Sequence, residues 1–396
     1  MISLQNIIRM KQHLVIVRTG ANVLNLTSYN CQELGLAKAL TKKGLKVSLI
    51  LAGNKKQVEK ISCEGGVVCV YFLKFSALDQ RFGYFWGVSD LLKSLAPSII
   101  QVHDLGVFMT WYVTKWAHTH SVPCYLIQGT YQYSPRIGIH QIERMYASTF
   151  GKYVLNNVAG IGCKTIKASE FLNNILDCRT RLTYIGLDES KFYNRDDTDW
   201  KHKLGIENKH ILLYIGILEE RRNPDFLIDI IKNLGDNYAL VLVGEGPLSQ
   251  RIRDVVINSN LQDRVFMLGR LQQNFLPKLY EDSDLFLLAS SYEIYGMVIL
   301  ESMYFGLPII SSLTAGAETI IESNVDGVVI PVFDVRKWCA AIKAICSNKD
   351  ELEKMKFKAK SKIKEKLLWS KAAEAYLELY NFTKVSQVNK YQLACL

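Results

Sequence analysis

Short apolar runs, each followed by a turn and an amphipathic stretch, recur along almost the whole chain, and few folds accept that alternation. Runs at residues 13–18, 47–51, 67–72, 99–102, 124–128, 159–162 and 182–185 read as strands, and residues 32–43, 106–119, 140–155 and 165–176 read as helices. Strands alternating with helices of this length imply α/β structure with parallel sheets covered on both faces. The polar stretch at 194–205 interrupts the pattern, a second alternation starts at Ile211 and runs to about Asp350, and residues 351–390 read as helix. Two doubly wound, Rossmann-like domains are therefore expected, at 1–193 and 206–370, joined by a linker.

With 396 residues and 49% hydrophobic content, both domains have material for a full core. No apolar run approaches the length of a membrane span. The start, Met1 to Asn6, lacks a basic region followed by an apolar stretch, so no secretory signal is expected. Nine scattered cysteines without metal-ligand spacing fit core thiols in a reducing cytoplasm. The net charge of +10 is uneven: residues 1–60 hold ten basic and two acidic side chains, among them Lys42, Lys43, Lys46, Lys55, Lys56 and Lys60. Such a cluster suits either an anionic membrane surface or a solvated face. No nucleic-acid-binding motif accompanies it, so nucleic acid is not an expected partner.

The most informative segment lies between two predicted strands of the second half. It reads Ser290-Ser291-Tyr292-Glu293-Ile294-Tyr295-Gly296-Met297-Val298, with Glu301 further on and Gly306-Leu307-Pro308 closing it. The layout places a loop and a helix start at the carboxyl edge of a parallel sheet, where doubly wound folds bind ligands. Free N–H groups at Gly296, Met297 and Val298 would hold a phosphate. Glu293 would face what hangs from that phosphate, and Glu301 would accept hydrogen bonds from sugar hydroxyls. Two glutamates eight apart carry little information by themselves; the strand–loop–helix–strand context carries the reading.

Other candidates lie at comparable places. The segment from Gly216 to Pro224 ends a strand and opens a helix, and the guanidinium of Arg222 would clamp a diphosphate. Gly244 and Gly246 end the next strand, their lack of a Cβ allowing close backbone approach or a plain turn. Leu268 and Arg270, at a third strand end, would line a base pocket, and Ala315 to Glu318 opens another helix. In the first half, Thr19-Gly20 follows the first strand, and His103-Asp104 and Gln128-Gly129 close two more. A buried, satisfied histidine explains His103 as well as a ligand contact does. Asp282-Ser283-Asp284 and Asp197-Thr198-Asp199 read as caps and turns rather than metal ligands.

Taken together, these segments resemble the retaining, GT-B-fold glycosyltransferases of family 4, over nearly the whole chain and most closely from Ile211 to Asp334. The family's motifs stand here as Gly216 to Arg222, Gly244 to Pro247, Val265 to Gly269, Glu293 to Glu301, Gly316 to Glu318 and Gly327 to Asp334. The resemblance implies the GT-B architecture, with two domains facing a central cleft and a last helix, 371–396, crossing back to the first domain. It implies transfer of a sugar from a nucleotide-diphosphate donor, UDP- or GDP-linked, to a glycan or lipid-linked acceptor, in cell-surface polysaccharide synthesis of a bacterial kind. No metal or other cofactor is implied. The protein would be cytoplasmic and peripheral at the inner face of the membrane. Catalytic roles fall on Glu293, Arg222, His103 and Gln128. Donor contacts fall on Gly20, Gly216, Gly246, Leu268, Arg270, Tyr295, Gly296, Met297, Val298 and Glu301. The chain departs from the family at four points: its first basic residue after Gly216 is Ile217 here, its lysine is Arg222, a histidine of the acceptor domain is Gln128, and the first glycine loop, at Gly20, has one glycine where the family has two. The losses at Ile217 and Gln128 keep two alternatives open, a non-catalytic sugar-nucleotide-binding partner subunit and a sugar-nucleotide epimerase.

Overall fold

The computed structural model describes residues 12–24, 26, 31–136 and 138–392, with side chains to Asn381. The reading of Met1 to Asn6 as no signal lies outside them. The chain divides into two compact units, one of residues 1–186 together with the chain from Trp369 onward, the other of Leu187–Leu368.

The first unit carries strands β1 (His13–Val17), β2 (Lys46–Gly53), β3 (Gln57–Cys63), β4 (Gly66–Ala77), β5 (Gly83–Phe85), β6 (Ile99–His103), β7 (Cys124–Gln128), β8 (Gly160–Cys163) and β9 (Thr180–Leu182). They order as β3-β4-β2-β1-β6-β7-β8-β9, and β5 also pairs with β4. The run from β4 to β9 is parallel, and β3 and β5 are antiparallel additions. β1, β6 and β7 are buried at every position, which explains their continuous apolar runs. The strand expected at 182–185 lies earlier, at Thr180–Leu182, because its pairing to β8 is set by Ile161 opposite Thr180.

The second unit carries β10 (His210–Ile215), β11 (Tyr238–Val243), β12 (Val265–Gly269), β13 (Leu285–Leu288), β14 (Ile309–Ser312) and β15 (Gly327–Ile330). Their order is β12-β11-β10-β13-β14-β15, parallel throughout. The order reverses between β10 and β13, the position at which doubly wound folds bind ligands. Apolar side chains of Tyr214, Leu227, Ile252, Trp338 and Ile342 fill one core of this unit.

Residues 194–205, expected as a linker, belong to the second unit as ordered structure. Asp199 caps the helix Trp200–Leu204, Asp282 accepts the Trp200 N–H at 3.0 Å, and Arg195 meets Glu281 through two bonds of 2.9 and 2.6 Å. The turn Asp196–Thr198 and the Asp284 bond to the Ile211 N–H, 2.8 Å, likewise make both Asp-x-Asp pairs structural.

The chain leaves the second unit at Leu368 and completes the first. Trp369 starts the helix Trp369–Gln392 and lies against two glycines: a Cβ on Gly35 would stand 2.2 Å from its Nε1, and one on Gly186 would stand 2.5 Å from its Cδ2. Further along, the Tyr125 hydroxyl donates to the Tyr380 carbonyl at 2.9 Å.

Candidate active site

In the second unit, the loops after β10 and β13 meet at the point where strand order reverses. Ile217 and Leu218 follow Gly216, a short turn covers Glu220–Arg222, and Asn223 in a left-handed conformation (φ 52°) directs the chain into the helix Pro224–Asn233. Backbone zips this loop to its neighbour: the Ser291 N–H donates to the Arg221 carbonyl at 2.8 Å. The Arg221 guanidinium returns a bond to the Tyr292 carbonyl at 3.2 Å.

Arg222 pairs directly with Glu293, and the same nitrogen donates to the Ser290 hydroxyl at 3.2 Å. Their side chains are 17% and 14% exposed, a half-dry setting in which charge interactions exceed those of a surface pair. The Arg222 Nε is buried without a hydrogen-bond acceptor, its nearest carboxylate being Glu219 at 3.9 Å. Arg221 adds a second guanidinium 4.0 Å from Glu293. The sequence pointed Arg222 and Glu293 at different parts of a ligand; the structure joins them in one ion pair.

Glu293 leads into the helix Met297–Phe305. Gly296 precedes it at φ 79°, a left-handed conformation that favours glycine, and no side chain caps this end. Met297 and Val298 are half-buried there, and Tyr295 is buried. The loop rests on Gly316, where a Cβ would stand 1.9 Å from the Tyr295 carbonyl oxygen. The helix Ala315–Ile320 has a capped start, the Thr314 hydroxyl accepting the Ala317 N–H at 3.2 Å. Glu301 is only 3% exposed, and its carboxylate accepts the Tyr280 hydroxyl at 2.9 Å. That bond fixes the carboxylate's direction under the loop.

The glycines after β10 and β11 serve backbone contact between loops. Gly244 has φ 125°, and its Cβ would meet the Gly216 carbonyl oxygen at 2.0 Å; a Cβ on Gly246 would meet that of Leu218 at 2.3 Å. The Gly244 N–H donates to the Gly269 carbonyl at 2.7 Å, tying in the end of β12. There Leu268 is half-buried, while the Arg270 side chain is 80% exposed with its Nε 3.6 Å from Glu245.

The first unit has its own reversal of strand order, between β1 and β6. Thr19 and Thr110 both donate to the His103 carbonyl, the latter at 2.7 Å, and Gly20 lies half-buried beyond. His103 is buried with its Nε2 2.9 Å from the Gln101 amide, and burial pushes its pKa down to about 4. Asp104 (φ 54°) accepts the N–H groups of Gly129 and Thr130, both at 2.9 Å. Burial alone would raise its pKa, but Lys164 and those two bonds outweigh it and hold the carboxyl low. Gln128, expected beside the chemistry, is 1% exposed and satisfied by backbone: it accepts the Leu105 N–H at 2.8 Å and donates to the Thr130 carbonyl at 2.6 Å. Its amide joins two loops and so positions them.

Sequence reasoning missed three charged residues of this cluster. Glu33 is buried 3.4 Å from Arg18, and Lys164 donates to Gln32 at 3.2 Å. Burial would raise Glu33; the neighbouring His103 ring and the charges of Arg18 and Lys164 outweigh it and hold the carboxyl below its usual range. The available signal was position: Arg18 and Lys164 each directly follow an apolar strand.

Residues 196–362 match the family Glycosyl transferases group 1. The chain is 32% identical over 202 residues to N-acetyl-alpha-D-glucosaminyl L-malate synthase of Bacillus anthracis, covering 50% of this chain and 52% of that one. It is 29% identical over 165 residues to the GalNAc-alpha-(1->4)-GalNAc-alpha-(1->3)-diNAcBac-PP-undecaprenol alpha-1,4-N-acetyl-D-galactosaminyltransferase of Campylobacter jejuni, covering 40% and 45%. The matches thus span about half the length of these curated relatives. Among solved structures, HepE of Anabaena in complex with UDP superposes with a TM-score of 0.70 at 14% identity, over 93% of this chain and 98% of that one. The fold is the two-unit α/β architecture of GT-B glycosyltransferases.

Proposed function

We propose that this protein transfers a sugar from a UDP- or GDP-linked donor to a glycan or lipid-linked acceptor with retention of anomeric configuration. One observation carries the reading: at the strand-order reversal of the second unit, two arginines, Glu293 and an uncapped helix start converge. Diphosphate oxygens meet N–H groups of the helix start and the guanidinium of Arg222, whose buried Nε lacks an acceptor. Arg221 supplies the charge that Ile217 does not. The base lies towards Leu268 and Arg270, about 14 Å away by the spacing of three strands. Glu293 faces the transferred sugar, and Glu301, oriented by Tyr280, the ribose.

In the reaction an acceptor hydroxyl oxygen bonds to the anomeric carbon on the face the diphosphate leaves. The carbon–oxygen bond to phosphate breaks with its electron pair going to the phosphate, and the departing phosphate oxygen takes the hydroxyl proton. Arg222 and the helix N–H groups stabilise the growing charge. No metal or other cofactor enters this scheme.

The expected result is acceptor-dependent release of nucleoside diphosphate from a UDP- or GDP-sugar, read by a coupled release assay alongside NMR of the product anomer. Nucleotide binding without release would favour the non-catalytic subunit, and interconversion of donor sugars without acceptor the epimerase.

The relative with an undecaprenol-linked substrate in its name supports a lipid-linked acceptor and a role in surface polysaccharide synthesis at the inner membrane face. No helix among the described residues is long and apolar enough to cross a membrane. Docking would use the lysines of residues 42–60, although Lys42 pairs with Glu64 and Lys43 with Glu374. Ile142, Met145 and Phe150 add exposed apolar side chains elsewhere on the same unit. Changing Lys42, Lys43, Lys46, Lys55 and Lys56 to glutamine should abolish co-sedimentation with anionic vesicles; equal binding to neutral vesicles would defeat the electrostatic account.

A further inference from the structure

The first unit contains a cavity of about 760 Å³ that no step above uses, walled by residues 131–135, the helix Ile139–Tyr146 with its continuation, and the helix Ile166–Asn173. Its volume falls within the range of small-ligand sites. One wall is aromatic: the Tyr133 ring meets Phe171 edge-on at 5.0 Å and His140 at 5.4 Å. Another wall is cationic. Arg144, Ser148 and Lys152 follow one another at four-residue intervals through the turn of π-helix Ala147–Gly151, and all three line the cavity. No aspartate or glutamate lines it, and no ion pair engages Arg144 or Lys152 among the described residues. A smaller recess of about 60 Å³ shares Gln132, Tyr133, Ala147 and Phe171 with it and runs to Asp104, Gln128 and Thr130. The site therefore has direction: hydrogen-bonding groups at the sheet edge, an aromatic middle and a cationic far side.

We infer that this cavity is the acceptor pocket and selects a saccharide bearing an anionic group, with its reacting hydroxyl towards Asp104 and Thr130, its ring against Tyr133 and Phe171, and its anion on Arg144 and Lys152. The inference rests on the transferase reading and adds the acceptor's chemical class. An aromatic face suits the C–H face of a pyranose. A guanidinium and an ammonium flanking a hydroxyl suit phosphate or carboxylate.

Isothermal titration and saturation-transfer NMR on the full chain, with glucose 6-phosphate, glucuronic acid, glucose and inorganic phosphate as probes, test this. At least one charged sugar should bind ~10-fold or more tightly than glucose and than inorganic phosphate, with transfer to ring protons. The tighter of the two tells phosphate from carboxylate. Arg144→Gln with Lys152→Gln should erase that preference while UDP affinity stays unchanged. Equal binding of glucose, equal binding of phosphate alone, no binding of either charged sugar, or an unmoved affinity in the double variant overturns the inference. Any of these with UDP or GDP binding intact leaves the donor reading standing; binding of neither nucleotide with the charged-sugar preference intact removes the donor reading alone.

Discussion

Replacing Arg222 with alanine is expected to lower turnover by about 10²-fold or more, the cost of removing a preorganised charge from a developing oxyanion. The side chain is held by Glu293 and Ser290 and needs little reorganisation to meet a phosphate. The Arg222→Lys variant should recover only part of the rate, since an ammonium cannot reproduce a guanidinium's planar fork. Steady-state kinetics on donor and acceptor check both, with unfolding melts to confirm that the variants fold. Full activity in the alanine variant, or strict loss of wild-type activity in chelator, would remove Arg222 from the role of neutralising the leaving group.

Gly244→Ala is expected to destabilise the second unit by about 2–4 kcal/mol and to weaken nucleotide binding with it. The new methyl would stand 2.0 Å from the Gly216 carbonyl oxygen at a backbone φ of 125°, so the loops after β10 and β11 must separate. Gly87→Ala is the control: φ there is also positive, 77°, but nothing lies within 4 Å of the added carbon. It should cost only the conformational term, about 1 kcal/mol. Chemical denaturation of both variants separates steric from conformational cost, and equal losses would show that the loop contact contributes nothing.

The alternation of elements was legible because fully buried parallel strands leave continuous apolar runs, as in β6, β7 and β11. β3 was not: it is an exposed edge strand carrying Glu59 and Lys60, and those charges read as loop. The helix Val88–Leu95 also went unread; it is short and starts after a left-handed glycine without a side-chain cap. At the candidate site, the Glu293–Gly296 loop was visible because its residues are contiguous. Its pairing with Arg222 and the Tyr280–Glu301 bond join residues far apart in sequence, and only topology brings them together. In the first unit Arg18 and Lys164 share only their place at a strand end, and Glu33 lacks even that; topology brings the three together.

The return of the chain at Trp369 has a consequence for biosynthesis. Every strand of the second unit lies in one uninterrupted stretch, whereas the first unit must wait for residues beyond Leu368 to cover Gly35, Gly186 and Tyr125. Domains generally mature in the order they leave the ribosome. In this protein the half that emerges first is the half that is finished last, and its apolar seat for Trp369 stays open while the middle of the chain is being made.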